Sequence, residues 1–163
     1  MASRRSFLLV LMVAVIALDQ WTKHLVRLHL YMPRTYLDGL LTLVFTQNEG
    51  AFLSLGANFS PPTRTLIFTI AVGIAVIIAL AMLAMKKVSG LDAIAVALIA
   101  AGGIGNLVDR LMRHGRVTDF IYLQAGPLHT GVFNVADMAI TGGVIWLLIS
   151  SFVPRPKSPT PEA

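Results

Sequence analysis

From Leu66 to Met85 the chain carries no charged residue at all. Bilayer hydrocarbon is about 30 Å thick and takes roughly 20 helical residues to cross, so this run is long enough to span a membrane as one helix. That single stretch rules out most soluble folds. Three further apolar runs accompany it. Ala93 to Val108 and Met138 to Val153 are apolar but end on polar motifs, and Phe7 to Leu18 spans only if its helix continues through Asp19, Lys23 and Arg27 toward Leu30.

The rest of the composition agrees, because 56% of the residues are hydrophobic and only 13% charged, outside the range of ordinary soluble domains. The expected fold is therefore a membrane all-α protein, a four-helix transmembrane bundle with a small extracytoplasmic β element. Residues 1–153 read as one domain. Residues 154–163, with four prolines among ten positions, read as a disordered C-terminal tail. Arg4 and Arg5 before a short apolar run also fit a secretory signal peptide, but Asp19-Gln20-Trp21 stands where a small-residue cleavage site belongs. A net charge of +5 would point to nucleic acid in a soluble chain. Here the basic residues flank the spans, so membrane lipid is the expected partner and nucleic acid is not.

Taken in order, helix one is expected from Ser6 toward Leu30, with Asp19, Lys23 and Arg27 spaced by four on one face. Leu41, Leu43 and Phe45 alternate with more polar neighbours in the period of a half-buried strand. Asp38-Gly39 and Asn48-Glu49-Gly50 read as the turns around it, with Ala51 to Leu55 pairing back as a second strand. Ser60-Pro61-Pro62 suits a capped helix start, and the short Ser89-Gly90 connection makes helices two and three antiparallel neighbours. Gly102, Gly103 and Gly105 in helix three, and Gly142-Gly143 in helix four, read as close-packing positions. Asn106, Asp109 and Arg110 follow on one face of helix three.

Four antiparallel spans carry Asp19, Lys23, Asn48, Asn106, Asp109, Arg110, Asp119, Asn134 and Asp137 to one membrane face. Arg4, Arg5, Lys86, Lys87, Arg155 and Lys157 go to the other. Arg34, Arg64, Arg110, Arg113 and Arg116 on the polar side keep the raw count from deciding, but Lys23, Arg27 and Arg110 have acidic neighbours on their own helices, so the expected orientation has the termini in the cytoplasm and the polar cluster outside. Charges at membrane depth default to a functional hypothesis, yet each has a structural reading too. Asp19 and Lys23 could be a self-neutralised pair snorkelling at a helix end. Asp109 with Arg110 or Arg113 reads as a structural ion pair, Asp119 as a loop acid, and Asp137 as the third residue of a capping box begun by Asn134. Two nearby aspartates that share a proton can instead activate water and protonate a carbonyl. His24, His29, His114 and His129 make no recognisable zinc set, and no cofactor or metal is expected.

Four ordered motifs carry a resemblance. They are Asp19 with Lys23; Asn48-x-Gly50-Ala51; Gly102-Gly103-x-Gly105-Asn106-x-x-Asp109-Arg110; and Val117-x-Asp119-Phe120-Ile121 with Phe133-Asn134-x-Ala136-Asp137. In these the sequence resembles the bacterial lipoprotein signal peptidases, or signal peptidases II. The resemblance implies four transmembrane helices in the inner membrane, an outer β cradle, and an aspartic endopeptidase. Its substrates would be diacylglyceryl-modified prolipoproteins, cut just before the lipidated cysteine; a monomer is the expected state, although the sequence itself does not reveal it. It further implies Asp119 and Asp137 as the catalytic pair. Asn48, Gly50, Asn106, Arg110 and Asn134 would bind substrate or line the site, with Asp19, Lys23 and Asp109 supporting it. Phe52 and Leu53 depart from the family habit of a small residue and then an aromatic. Two rival readings of the same acids are a small proton-coupled carrier or channel subunit and a non-catalytic membrane adaptor.

Overall fold

A computed structural model of the chain describes residues 2–49 and 59–153. The four expected spans are helices α1 (Ala2–His29), α2 (Pro61–Ala84), α3 (Gly90–Met112) and α4 (Val135–Phe152). Each is long and apolar enough to cross a membrane. Ser60 caps α2 as expected, its hydroxyl accepting from the Thr63 N–H at 3.4 Å ahead of prolines in the first turn. Helices α1 and α3 run past the ends of their apolar runs. Asp19, Lys23, Asn106 and Asp109 turn inward and find partners, so no residue forces the helix to stop for water.

Helix α3 is the centre of the bundle and packs against each of the other three. Its inner surface is built from small side chains, with Val96, Ala97, Ala100 and Ala101 meeting Met12 of α1 and Ala79 of α2. Lipid tails are as apolar as leucine, so helices associate here through close contact rather than water exclusion. Gly103 lies against Val76, and Gly143 lies against the Ala95 carbonyl and Ile99. Gly142 differs from expectation, since no atom lies within 4 Å of where its Cβ would be. Large apolar side chains such as Ile74, Ile77, Ile145 and Leu148 face outward, as a lipid-facing surface requires.

Two contacts fix the helix directions. The Arg4 guanidinium of α1 donates to the Val88 carbonyl at 3.3 Å, and Trp146 of α4 donates its indole N–H to Asp92 of α3 at 3.1 Å. The start of α1, the α2–α3 connection and the far part of α4 thus share one end. The end of α1, the end of α3 and the start of α4 share the other.

That second end carries an antiparallel sheet in the order β1 (Arg34–Tyr36), β2 (Leu41–Asn48), β3 (Val117–Ala125) and β4 (Leu128–His129). Asp38-Gly39 does turn the chain between β1 and β2, with both residues at positive φ. Strand β2 runs on to Asn48, the residue at which the expected Asn48-Glu49-Gly50 turn begins. The expected strand Ala51 to Leu55, together with Gly50, Phe52 and Leu53, lies outside the described residues, as does the expected tail. The larger correction concerns Asp119, which sits inside β3 and not in a loop. Val117, Thr118, Phe120, Ile121 and Tyr122 are β-branched or aromatic, and such side chains fit a pleated, half-buried surface.

Candidate active site

Strand β3 enters the bundle end with its first four residues buried. It pairs with β2 out of step: Leu43 lies opposite Ile121, but Thr46 lies opposite Asp119, so β2 carries one extra residue between them. Side chains alternate along a strand, and one added residue therefore flips everything beyond it to the other face. Asn48 comes to lie opposite Val117, on the same sheet face as Asp119. Its amide donates to Asp119 Oδ2 at 2.9 Å. The bulge is what makes that bond possible.

A backbone bridge between Ile121 and Phe133 then brings the start of α4 beside β3. Asn134, fully buried, is the cap of α4. Its Oδ1 accepts from the Asp137 N–H at 2.9 Å, and its own N–H donates to Asp137 Oδ2 at 3.2 Å, a complete capping box. With its oxygen committed to the helix, its Nδ2 is left for Asp119 Oδ1, at 2.6 Å. One residue therefore holds both aspartates, and the capping role and the site role coexist.

Asn106 approaches from α3 and donates its Nδ2 to Asp137 Oδ1 at 2.8 Å. The direction of this amide is forced. Lysine has no acceptor, and Lys23 Nζ lies 2.9 Å from Asn106 Oδ1, so only the nitrogen can face Asp137. Lys23 is fully buried and also pairs with Asp19 at 2.9 Å and Asp109 at 3.6 Å. A snorkelling pair would reach water; this pair does not. Asp19 reaches on to accept from the Ala136 N–H at 2.9 Å, anchoring the first turn of α4 to α1. The glycines of α3 make room for this. A Cβ on Gly105 would lie 2.6 Å from Asp19 Oδ2, and one on Gly102 would collide with the Ala136 carbonyl.

Asp109 is structural, though not through Arg110. It pairs with Arg113 at 3.2 Å and Arg27 at 3.6 Å, and accepts from the Thr118 N–H at 2.8 Å, tying the end of α3 to the start of β3. Arg110 points elsewhere. Its Nε and Nη1 are buried and have no hydrogen-bond partner among the described residues, and its acidic neighbours are Asp137, Asp119 and Asp109. Buried donors without partners are rare enough to need a reason. Two supporting residues were missed in the sequence reading. Gln20 donates to both Asp19 and the Gly105 carbonyl, and Thr118, fully buried, bonds Arg27, Asp109 and Asn134. A glutamine beside a membrane aspartate was the available signal for the first.

The electrostatics of Asp119 follow from this setting. Burial pushes its carboxyl up to about 6, with the donors from Asn48 and Asn134 opposing the rise and the nearby Asp137 carboxylate adding to it. A carboxyl so placed holds a proton far more readily than a free aspartate. Asp137, half-buried at a helix N-terminus, sits where the backbone dipole favours negative charge.

Four helices long and apolar enough to cross a membrane make this a multi-pass membrane protein, and the two carboxylates joined through one asparagine at their end are the kind of pair an aspartic peptidase needs. The model of the signal peptidase II family matches residues 11–153. The chain belongs to that family. It is 37% identical over 149 residues to the lipoprotein signal peptidase of Salmonella typhi, covering 91% of this chain and 89% of the relative. With that of Klebsiella pneumoniae it shares 36% over 147 residues, covering 90% and 88%. Two solved structures described as bacterial membrane enzymes share the fold. One has a TM-score of 0.77 at 25% identity, covering 90% of this chain and 87% of its own. The other has 0.76 at 27%, covering 90% and 93%.

Proposed function

We propose that this chain is an intramembrane aspartic endopeptidase that removes signal peptides from diacylglyceryl-modified prolipoproteins, cutting just before the lipidated cysteine. Asp119 and Asp137 form its dyad. The observation that carries the reading is Asn134, which hydrogen-bonds both carboxylates from a helix cap and so fixes their mutual placement.

Asp137 works as the ionised member and Asp119 as the protonated one, in line with a helix N-terminus at the first and a proton-holding carboxyl at the second. Asp137 takes a proton from water as the water oxygen attacks the scissile carbonyl, and Asp119 gives its proton to the carbonyl oxygen. The tetrahedral diol then collapses. Asp119 regains a proton from one hydroxyl while Asp137 delivers its own to the departing amine, and both return to their starting states. The two buried nitrogens of Arg110 suit a main-chain carbonyl of the substrate, which would supply the partner the described residues lack.

A substrate with two acyl chains is already in the lipid, so a site at the bundle end can receive it sideways. Arg4, Arg5, Lys86 and Lys87 lie at the opposite end, which supports cytoplasmic termini, an extracytoplasmic site and the bacterial inner membrane as location. The protein works as a monomer in lipid and needs no nucleic acid. A carrier using the same acids has no support, since α2 offers no titratable side chain from Leu66 to Ala84 and the acids gather at one end.

The test compares a diacylglyceryl-modified prolipoprotein with its unmodified form, each incubated with purified full-length protein, the products being read by mass spectrometry. A new N-terminus at the lipidated cysteine, and none from the unmodified form, is expected. Equal cleavage of both, or a cut elsewhere, contradicts the proposal.

A further inference from the structure

The end of the bundle remote from the dyad has its own cavity, of about 120 Å³, between the start of α1, the end of α2 and the start of α3. Leu8, Leu83, Val88 and Ala93 line it together with Arg4, Arg5 and Lys86. The positive-inside tendency accounts for cations at this end of the molecule, but not for how they are placed. Arg4 is held over the cavity by its bond to the Val88 carbonyl, at 3.3 Å, and a guanidinium has five N–H donors to share between that carbonyl and an anion.

Lys86 is the more telling residue. Helix α2 closes with the Lys87 N–H donating to the Met82 carbonyl at 3.0 Å and the Lys86 N–H to the Leu83 carbonyl at 3.2 Å. This is the helix-ending pattern whose left-handed residue is usually glycine, and here that residue is Lys86, at φ +56°. A side chain at that backbone conformation is strained. Topology alone does not call for it, because Lys87, one position on, supplies the same charge from ordinary backbone. An observed outlier of this kind points to a use for the side chain that occupies it.

The cavity therefore combines three cationic and four aliphatic side chains at an end of the bundle where three helix termini meet. A soluble anion would have no use for Leu8 and Leu83. We propose that this cleft binds one anionic phospholipid, its phosphate among Arg4, Arg5 and Lys86 and the upper part of an acyl chain along Leu8 and Leu83. The site is separate from the dyad and does not depend on the peptidase reading.

The test uses the full-length chain, delipidated in uncharged maltoside micelles, with thermal unfolding followed as phosphatidylglycerol, phosphatidylcholine or glycerol phosphate is added. Phosphatidylglycerol should raise Tm saturably, by about 3–5 °C, while the other two leave it in place. Two variants sharpen the outcome. Lys86→Gly should raise the lipid-free Tm by relieving the backbone, yet lose most of the phosphatidylglycerol increment. Arg4→Gln with Arg5→Gln should lose that increment without the gain. Equal stabilisation by phosphatidylcholine, a full effect of glycerol phosphate alone, or an undiminished increment in both variants would overturn the proposal.

Discussion

At Asn134 one side chain caps α4 with its oxygen and holds Asp119 with its nitrogen, and substitution can separate these jobs. Serine is a good cap but too short to reach Asp119. Asn134→Ser should keep Tm near that of the parent while kcat drops on the order of 10²-fold, as is typical when a positioned donor is lost. Asn134→Ala should lose about 1 kcal/mol of stability as well. Equal activity in the serine variant would mean that Asp119 needs no such donor. The Asp119 carboxyl also sets a pH dependence. In the proposed mechanism its protonated form is the working one, and burial holds that proton up to about 6, so kcat/KM should fall as pH rises through about 6. At the acid end the rate should fall again as the partner carboxylate becomes protonated, the two limbs belonging to the pair jointly. A rate that climbs steadily from pH 5 to 8 would reverse the assignment of the proton.

Among the elements, the β2 bulge and the α3 glycines carry the site, and each makes its own forecast. Deleting Gln47, beyond the bulge, brings Asn48 opposite Thr118 in place of Val117 and so turns it to the face away from Asp119. Activity should fall at least as far as in Asn48→Ala, with helical circular dichroism preserved; a fully active deletion variant would show that the register is irrelevant. Gly105→Ala should cost about 1–3 kcal/mol, because its Cβ would meet Asp19 at 2.6 Å, whereas Gly142→Ala, with open space around it, should be neutral or slightly stabilising. Thermal melts of the two variants check the contrast. The helices were legible in the sequence because twenty uncharged residues have few alternatives. Strand β3 was not read as a strand, although Val117, Thr118, Phe120, Ile121 and Tyr122 have the composition of one, because its neighbours in the sheet lie far away in sequence. The bulge is set by long-range pairing and leaves no local signature. Asp109 was legible as a structural acid, but its choice of Arg113, Arg27 and Lys23 over Arg110 depends on how α1 and α3 meet.

For the whole molecule, the clustering of Asp19, Lys23, Asn106, Asp119, Asn134 and Asp137 followed from span count and order alone, since antiparallel helices return polar ends to one side. The chain has no cysteine, so single cysteines give clean topology markers. Leu128→Cys in exposed β4 should react with an impermeant maleimide added outside intact spheroplasts, and Lys87→Cys only after lysis; the reverse pattern would invert the membrane orientation. The central claim, that Asp119 and Asp137 act together on a lipid-modified prolipoprotein, is tested most directly by cleavage with folded Asp119→Asn and Asp137→Asn variants beside the parent. The account predicts cleavage by the parent and a loss of at least 10³-fold in each variant, since neither carboxyl can do the other's work. Cleavage that survives either substitution would contradict it.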